Sequence, residues 1–451
     1  MEKYQRKNRT KDMFATVNRL TKQACPSVKS VKSESGEILT EQDEITNRWK
    51  SYCETLYSTC ETIEDVKLDG AREPTPTYDE VEKAIKSMRT GKAEGPDEIP
   101  AELLKLGGET VTGAMHNLIT HVWITGNWPD DWTQSTFVPL FKKGDPTACA
   151  NYRTISLISH ASKVLLKVIL DRMRDKVEFE VAEEQAGFRP NRGTTEHLCN
   201  LRIITEKARS RRQPLYLCFI DFEKAFDTIS HKKLWRGMLS MGFAPHLISL
   251  IKSLYETQQS NVRAAGGKSD WFNVMKGVRQ GCLLSPYLFN IMCEVLMRMA
   301  LEDFEGGFRI GGRLITNLRY ADDIVLIASN EAELQELVTR LHWAAGEMSM
   351  RINVRKTEVM KVDDDLTPIK VTVAGVYLRQ VHSFKYLGAY FNSDASCTHE
   401  IKSRLAIGRE RMAQLNTLWR SRAISNPLKA RLIQALIWPI VTYGSEAWTL
   451  N

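Results

Sequence analysis

The pattern of apolar and polar positions changes along the chain. Two stretches alternate weakly and read as strands buried on both faces. One is Leu215-Tyr216-Leu217-Cys218-Phe219-Ile220, closed by Asp221. The other is Ile324-Val325-Leu326-Ile327-Ala328, preceded by Tyr320-Ala321-Asp322-Asp323. In the second, a carboxylate pair sits between two apolar runs, as at the tip of a β-hairpin. From 130 to 330 short β-rich runs alternate with helical segments, which predicts an α+β domain. Val371–Leu387 is again β-like.

The flanks are helical in period. Residues 1–60 are basic and helical in pattern. There Thr40 with Asp43 forms a capping box ahead of Ile45, Trp49, Tyr52 and Leu56, which share one helical face. Residues 73–77 are rich in proline and read as a linker. Thr77 then caps a second helix carrying Val81, Ile85 and Met88, with Gly91 as its stop. After the loop Gly95-Pro96-Asp97-Glu98-Ile99, Pro100 is placed to open another helix. Helix returns over 399–438, with Pro427 in a first turn, Leu428, Leu432 and Leu436 on one face, and Pro439 at the end.

Composition adds limits rather than detail. The chain has 451 residues, 43% of them hydrophobic and 26% charged, which is globular usage with enough length for a sizeable core. The net charge of +7 favours a polyanionic partner such as nucleic acid. Nine cysteines include no CxxC pair and no zinc spacing, and Cys218 reads as a core residue; this usage fits a reducing, intracellular setting. The start Met1-Glu2-Lys3-Tyr4 has no apolar core, and no stretch approaches the length of a membrane span. The expectation is a protein of the nucleus or cytoplasm with no membrane partner. Its oligomeric state is left open.

The chemistry lies in the carboxylates. A hard divalent ion takes oxygen ligands, usually one or two carboxylates plus substrate phosphates. Two such ions can align an attacking hydroxyl and a leaving pyrophosphate for in-line displacement. A lone Asp-Asp turn is ordinary turn chemistry, and Asp221 alone could cap a helix. It is the two sites together, with the segments between them, that carry the reading.

Those segments resemble LINE-type (non-LTR) retrotransposon reverse transcriptases. Phe219-Ile220-Asp221-Phe222-Glu223-Lys224-Ala225-Phe226-Asp227 resembles motif A, Arg279-Gln280-Gly281-Cys282-Leu283-Leu284-Ser285-Pro286 motif B, and Tyr320-Ala321-Asp322-Asp323 motif C. Asn353-Val354-Arg355-Lys356-Thr357 is similar to motif D, and Phe384-Lys385-Tyr386-Leu387-Gly388 to motif E, the primer grip. Asn151–Leu157 and Glu184–Arg189 are similar to the fingers motifs. All occur in the family's order. Two positions depart from its pattern: Thr154 stands where proline is usual, and Glu98 where glycine is usual.

The resemblance implies a right-hand polymerase: fingers, a palm with an antiparallel sheet, and the start of a helical thumb. The expected divisions are 1–78 as a basic helical N-terminal extension, 79–214 as fingers, 215–392 as palm, and 393–451 as thumb, with a reverse transcriptase domain over about 130–392. It implies that Asp221, Asp322 and Asp323 hold two Mg²⁺ or Mn²⁺ ions and that Lys356 gives a proton to pyrophosphate. Arg153, with Lys142 or Lys143, would contact the triphosphate. Phe222, Gln280 and Gly281 would line the nucleotide site, with Phe226 as the gate against a ribose 2′-hydroxyl. Tyr386, Leu387 and Gly388 would grip the primer. The implied partners are an RNA template, a DNA primer and dNTPs. An RNA-dependent RNA polymerase shares the palm, but Phe226 and Tyr320–Asp323 favour DNA synthesis. The other alternative is an inactive or domesticated nucleic-acid-binding remnant. The 78 residues before the fingers are too short for the endonuclease common in LINE polyproteins, and no Cys/His knuckle is present, so a fragment or derivative is expected.

Overall fold

The computed structural model describes residues 28–59, 64, 66–363 and 367–449. The expected helix over the first 27 residues, like Cys25 and Cys60, lies outside them. The α+β expectation is met by two five-stranded sheets with helices packed around them.

The first sheet runs Asn317–Tyr320, Asp323–Ala328, Leu215–Ile220, Glu358–Val362, Arg379–Gln380. Its central strand, Leu215–Ile220, is antiparallel to both neighbours. One face sets Cys218, Ile220, Ile324 and Leu326 against the helices Ser285–Leu301 and Glu331–Glu347, through Leu288, Leu337 and Leu341. The other sets Leu217, Phe219, Val325 and Ile327 against the helix Thr194–Ser210, through Leu198 and Leu201. Coverage on both faces is why these strands read as unbroken apolar runs. Burying one such side chain contributes about 1.5–3 kcal/mol. Phe219 also stacks on Phe384 of the hairpin Ser383–Tyr386/Ala389–Asn392, with centroids 3.9 Å apart.

The second sheet runs Tyr152–Ile158, Gln134–Phe141, Gln259–Ala264, Gly267–Lys268, with Phe272–Asn273 also paired to Gln259–Ala264. Here sequence and space diverge. Gln259–Asn273 falls inside the range expected for the palm, yet it pairs with the strand at 134–141. The helix Gln42–Tyr57 is not a separate extension either: Trp49, Cys53 and Tyr57 pack on Phe137, Val262 and Phe272 of this sheet.

Several local expectations need correction. Residues 28–59 are not helical throughout, because Val31–Lys32 pairs with Ile38–Leu39 before the helix begins. That helix has Glu41 at its N-cap with no side-chain cap, so Thr40 and Asp43 form no capping box. Its start is set by tertiary packing of Ile45 and Trp49. The box at Thr77 and Glu80 is present, but the helix ends at Ser87 with Met88 extended, short of Gly91. Pro439 does not end the helix Asn426–Leu436. It sits in the first turn of the next, Trp438–Val441, where a proline's missing N–H costs nothing. Cys218 is fully buried, as expected, and the described cysteines carry no disulfide. Among the described residues no helix is long and apolar enough to cross a membrane.

Candidate active site

The site forms where the first sheet ends. Tyr320 pairs with Asp323, so Ala321 and Asp322 make a two-residue hairpin turn. Ala321 adopts φ +57°, a conformation that costs an L-residue about 1–2 kcal/mol. It persists because the turn is held from outside. Gln185 Oε1 accepts from the N–H of Ala321 at 2.8 Å and from that of Gly187 at 2.8 Å. Gly187 is required here, since a Cβ would lie 2.3 Å from the Ala321 nitrogen. Below the turn, Arg319 pairs with Glu294 at 3.0 Å, the two side chains only 2% and 5% exposed. The motif at Glu184–Arg189 thus buckles the carboxylate hairpin. The sequence marked this motif but gave Gln185 no role.

Ile220 pairs with Ile324, so one step further along the ladder Asp221 faces Asp323. Asp221 is stitched to the next loop: its N–H donates to Thr357 Oγ1 (3.2 Å) and its carbonyl accepts from Asn353 N–H (2.7 Å). That loop delivers Lys356, whose Nζ lies 3.5 Å from Asp221 Oδ2. The same oxygen is buried and has no hydrogen-bond donor.

The electrostatics show which groups share the cleft. Burial raises the Asp322 carboxyl, and Asp221 adds to this, while Arg153 and Lys142 oppose it. Asp323 is pushed up to about 6 by loss of hydration in the cleft, then by Asp322 and Asp221. Lys142 is lowered, first by burial and then by Arg153 and Lys356, with Asp221 and Asp322 pulling it back. Three carboxylates and three cations therefore converge from five segments. Both lysines are exposed; Lys142 interacts electrostatically with Asp221 and Asp322, while no described contact ties Lys143 to the carboxylates.

The remaining expected residues divide. Phe226 is half-buried, stacked on Phe289 at 4.2 Å with the edge of Phe188 against it. Gln280 donates to Asp227 Oδ1 at 2.8 Å, and its carbonyl accepts from Ser156 N–H at 2.7 Å. Gly281 has φ +111° and approaches the Ser156 carbonyl so closely that a Cβ would lie 3.0 Å from it. Phe222 does not line the cleft. It is 6% exposed within the apolar core, its backbone bridged to Ile352. Leu387 and Gly388 form a hairpin turn with φ of +46° and +86°. Tyr386 is 2% exposed beneath that turn, so its ring supports the turn rather than presenting itself to a ligand. Tyr443 Oη donates to the Leu387 carbonyl at 2.7 Å, and Arg404 donates to that of Gly388. The departure at Glu98 has a backbone counterpart: its φ is +54°, where glycine is free of strain.

Among the described residues no group of three or more His, Cys, Asp or Glu side chains is placed to hold a metal ion by itself. The donor set is open and oxygen-only, with a buried Asp221 oxygen that accepts no hydrogen bond and lies beside Lys356. That suits a hard divalent ion that completes its shell with substrate phosphates and water.

Acidic groups at adjacent ends of the antiparallel strands Leu215–Ile220 and Asp323–Ala328, with cations interacting from the second sheet, are consistent with a right-hand polymerase fold. The sequence pattern described as "Reverse transcriptase (RNA-dependent DNA polymerase)" matches residues 141–391, and the chain belongs to that family. It is 25% identical over 380 residues to the transposon TX1 uncharacterized 149 kDa protein of Xenopus laevis, covering 80% of this chain and 29% of that protein. It is 25% identical over 383 residues to the RNA-directed DNA polymerase from mobile element jockey of Drosophila funebris, covering 82% and 41%. The chain spans less than half the length of these relatives. Among solved structures it is similar to apo telomerase from Candida tropicalis truncated from the C-terminal domain, with a TM-score of 0.42, 14% identity and 65% of each chain covered.

Proposed function

We propose that this chain is the RNA-directed DNA polymerase of a non-LTR retrotransposon, extending a DNA primer on an RNA template with dNTPs. The observation that carries this reading is the convergence of Asp221, Asp322 and Asp323 with Lys142, Arg153 and Lys356 at one sheet end. The fingers span 79–214, the palm 215–392 with its excursion to the fingers sheet, and the thumb 393–451.

In this reading Asp221, Asp322 and Asp323 hold two divalent ions, Mg²⁺ or Mn²⁺. When bound, the ions supply charge neutralisation and in-line alignment of the reacting oxygens. Arg153, with Lys142 or Lys143, takes the triphosphate as a cationic clamp. The primer 3′-hydroxyl gives up its proton to solvent as its oxygen bonds to the α-phosphorus and the bond to pyrophosphate breaks. Lys356, beside Asp221, gives its proton to the departing pyrophosphate. Phe226 stands where the sugar passes, and the Leu387-Gly388 turn supports the primer end.

The test is primer extension by the purified chain on matched RNA and DNA templates, with Mg²⁺, Mn²⁺ or EDTA. Extension on RNA that EDTA abolishes supports the reading. Binding without extension in any metal would favour the inactive remnant. Affinity for primer–template should fall steeply with salt, because Lys and Arg contacts to phosphate release counterions.

A further inference from the structure

A buried hydrogen-bonded chain joins three walls of the nucleotide site to a helix outside the matched residues 141–391. Tyr57, the last residue of the helix Gln42–Tyr57, is 4% exposed. Its hydroxyl donates to Asp227 Oδ1 at 2.8 Å and lies 2.8 Å from Thr154 Oγ1. A phenol has one proton, and this one goes to the carboxylate, so Thr154 must donate to Tyr57. Gln280 Nε2 donates to the same Asp227 oxygen at 2.8 Å. Asp227 is 7% exposed, and Lys224 and Arg153 also act on its charge.

Beyond Tyr57, each member is, or adjoins, a residue assigned above to the nucleotide. Thr154 follows Arg153, Asp227 follows Phe226, and Gln280 itself lines the pocket. The main chain locks the same parts together: Val278 N–H donates to the Phe226 carbonyl at 2.8 Å, and Gly277 packs so closely that a Cβ would lie 2.7 Å from the Asp227 carbonyl oxygen. A second contact from the same helix, Tyr52 with Lys224, holds the start of this loop. A buried carboxylate must have its bonds satisfied, or it costs several times what one bond contributes. Nothing in the sheet pairing requires these four side chains to meet.

We propose that Tyr57, Thr154 and Asp227 are positioning residues that hold Gln280, Phe226 and Arg153 in register for the incoming nucleotide, so the N-terminal helix helps set nucleotide affinity and sugar selection. This rests on the polymerase reading above. Loss of the Tyr57 hydroxyl leaves the fold's apolar packing intact but frees Asp227 from one donor. Gln280 and the Phe226 ring then sample more than one placement. The thread has a polarity: losing the Thr154 hydroxyl leaves the Tyr57–Asp227 bond in place and has a smaller effect.

The experiment compares full-length wild type with Tyr57→Phe, Thr154→Val, Asp227→Ala and the double variant Tyr57→Phe/Asp227→Ala. Ser135→Ala is the control, since it breaks a buried hydroxyl pair (2.6 Å to Ser260) at the far end of the same sheet. Steady-state incorporation of dNTP and rNTP is measured, together with retention of the next dNTP in a Ca²⁺-supported complex with primer–template. For Tyr57→Phe the KM for dNTP should rise about three- to tenfold with kcat within about twofold, the size expected of one lost buried hydrogen bond. Its rNTP-to-dNTP ratio should rise in parallel. Thr154→Val should show less, and Tyr57→Phe should add little to Asp227→Ala, because both remove one network. Ser135→Ala should lower the melting temperature without moving KM or the ratio. Unchanged KM and ratio in Tyr57→Phe, or full additivity with Asp227→Ala, would overturn the network alone. A wild type that neither retains nor incorporates nucleotide would overturn the polymerase reading, and the inference with it.

Discussion

The two hairpins at the site are held in opposite ways. The turn Ala321-Asp322 rests on a sheet covered by apolar residues on both faces, with Gln185, Gly187 and the Arg319–Glu294 pair packed around it. The turn Leu387-Gly388 tops a two-stranded ribbon that packs Phe384, Tyr386 and Phe391 on the first sheet, and its outer support comes from residues 398–443. That support is a few polar contacts: Tyr443 and Arg404 to the turn's carbonyls, and Glu400 accepting from Tyr390 N–H at 2.8 Å. The helix Thr398–Gln414 buries only Glu400 and Gly408, and the helices after it pack on their own small cluster around Leu415, Leu428 and Leu432. A dense core fixes atoms to fractions of an ångström, as phosphoryl transfer demands. On the proposed reading, a few hydrogen bonds fix a surface that a moving duplex can still displace.

The contrast can be broken most sharply at the carboxylates. Asp322→Asn should lower polymerisation at least about 10³-fold, some 4 kcal/mol of barrier, while circular dichroism and melting temperature hold. Equal activity in a folded variant would mean that the braced turn is only structural. Next is the brace itself. Arg319→Leu should cost about 3 kcal/mol in chemical denaturation, because Glu294 is left buried without its principal partner. A loss under 1 kcal/mol would show that the turn needs no such support.

Sugar selection follows. Phe226→Val should admit rNTPs with a ratio shift of roughly tenfold, about 1.4 kcal/mol, while dNTP use falls less. An unchanged ratio in an active variant would make Phe226 a core ring stacked on Phe289 and nothing more.

The pH dependence sharpens the same region. Asp323 is pushed from 3.8 to about 6 in the folded chain, so folding favours its protonated form. That stabilisation is full below the unfolded value and is lost as pH rises through about 6. Metal-free wild type should therefore lose melting temperature between pH 4 and 7 relative to Asp323→Asn. Parallel profiles would show that the carboxylates are not crowded. A divalent ion competes with the proton, so its affinity should weaken below about pH 6.

The smallest effect belongs to the other turn. Tyr443→Phe removes one hydrogen bond to Leu387, worth about 1 kcal/mol locally. Processivity should fall a fewfold while the rate of single-nucleotide addition holds. A fall in that rate would mean that the two hairpins are not independent.

The chain's own sequence determined much of this. Unbroken apolar runs bounded by Asp221 and Asp323 place carboxylates at strand ends, and the cap at Thr77 is local chemistry. These are legible because period, cap and turn are short-range properties. Where local signals were weak they misled: Thr40 caps nothing, Gly91 lies beyond its helix, and Phe222, close to Asp221 in sequence, points into the core. Only the tertiary structure decided that Gln259–Asn273 crosses to the other sheet and that Gln185 holds the Ala321 turn. Tyr57 meets Asp227 across 170 residues of sequence, a contact with no periodicity to announce it. Such contacts arise because a buried polar group must find a partner wherever the packed core happens to supply one.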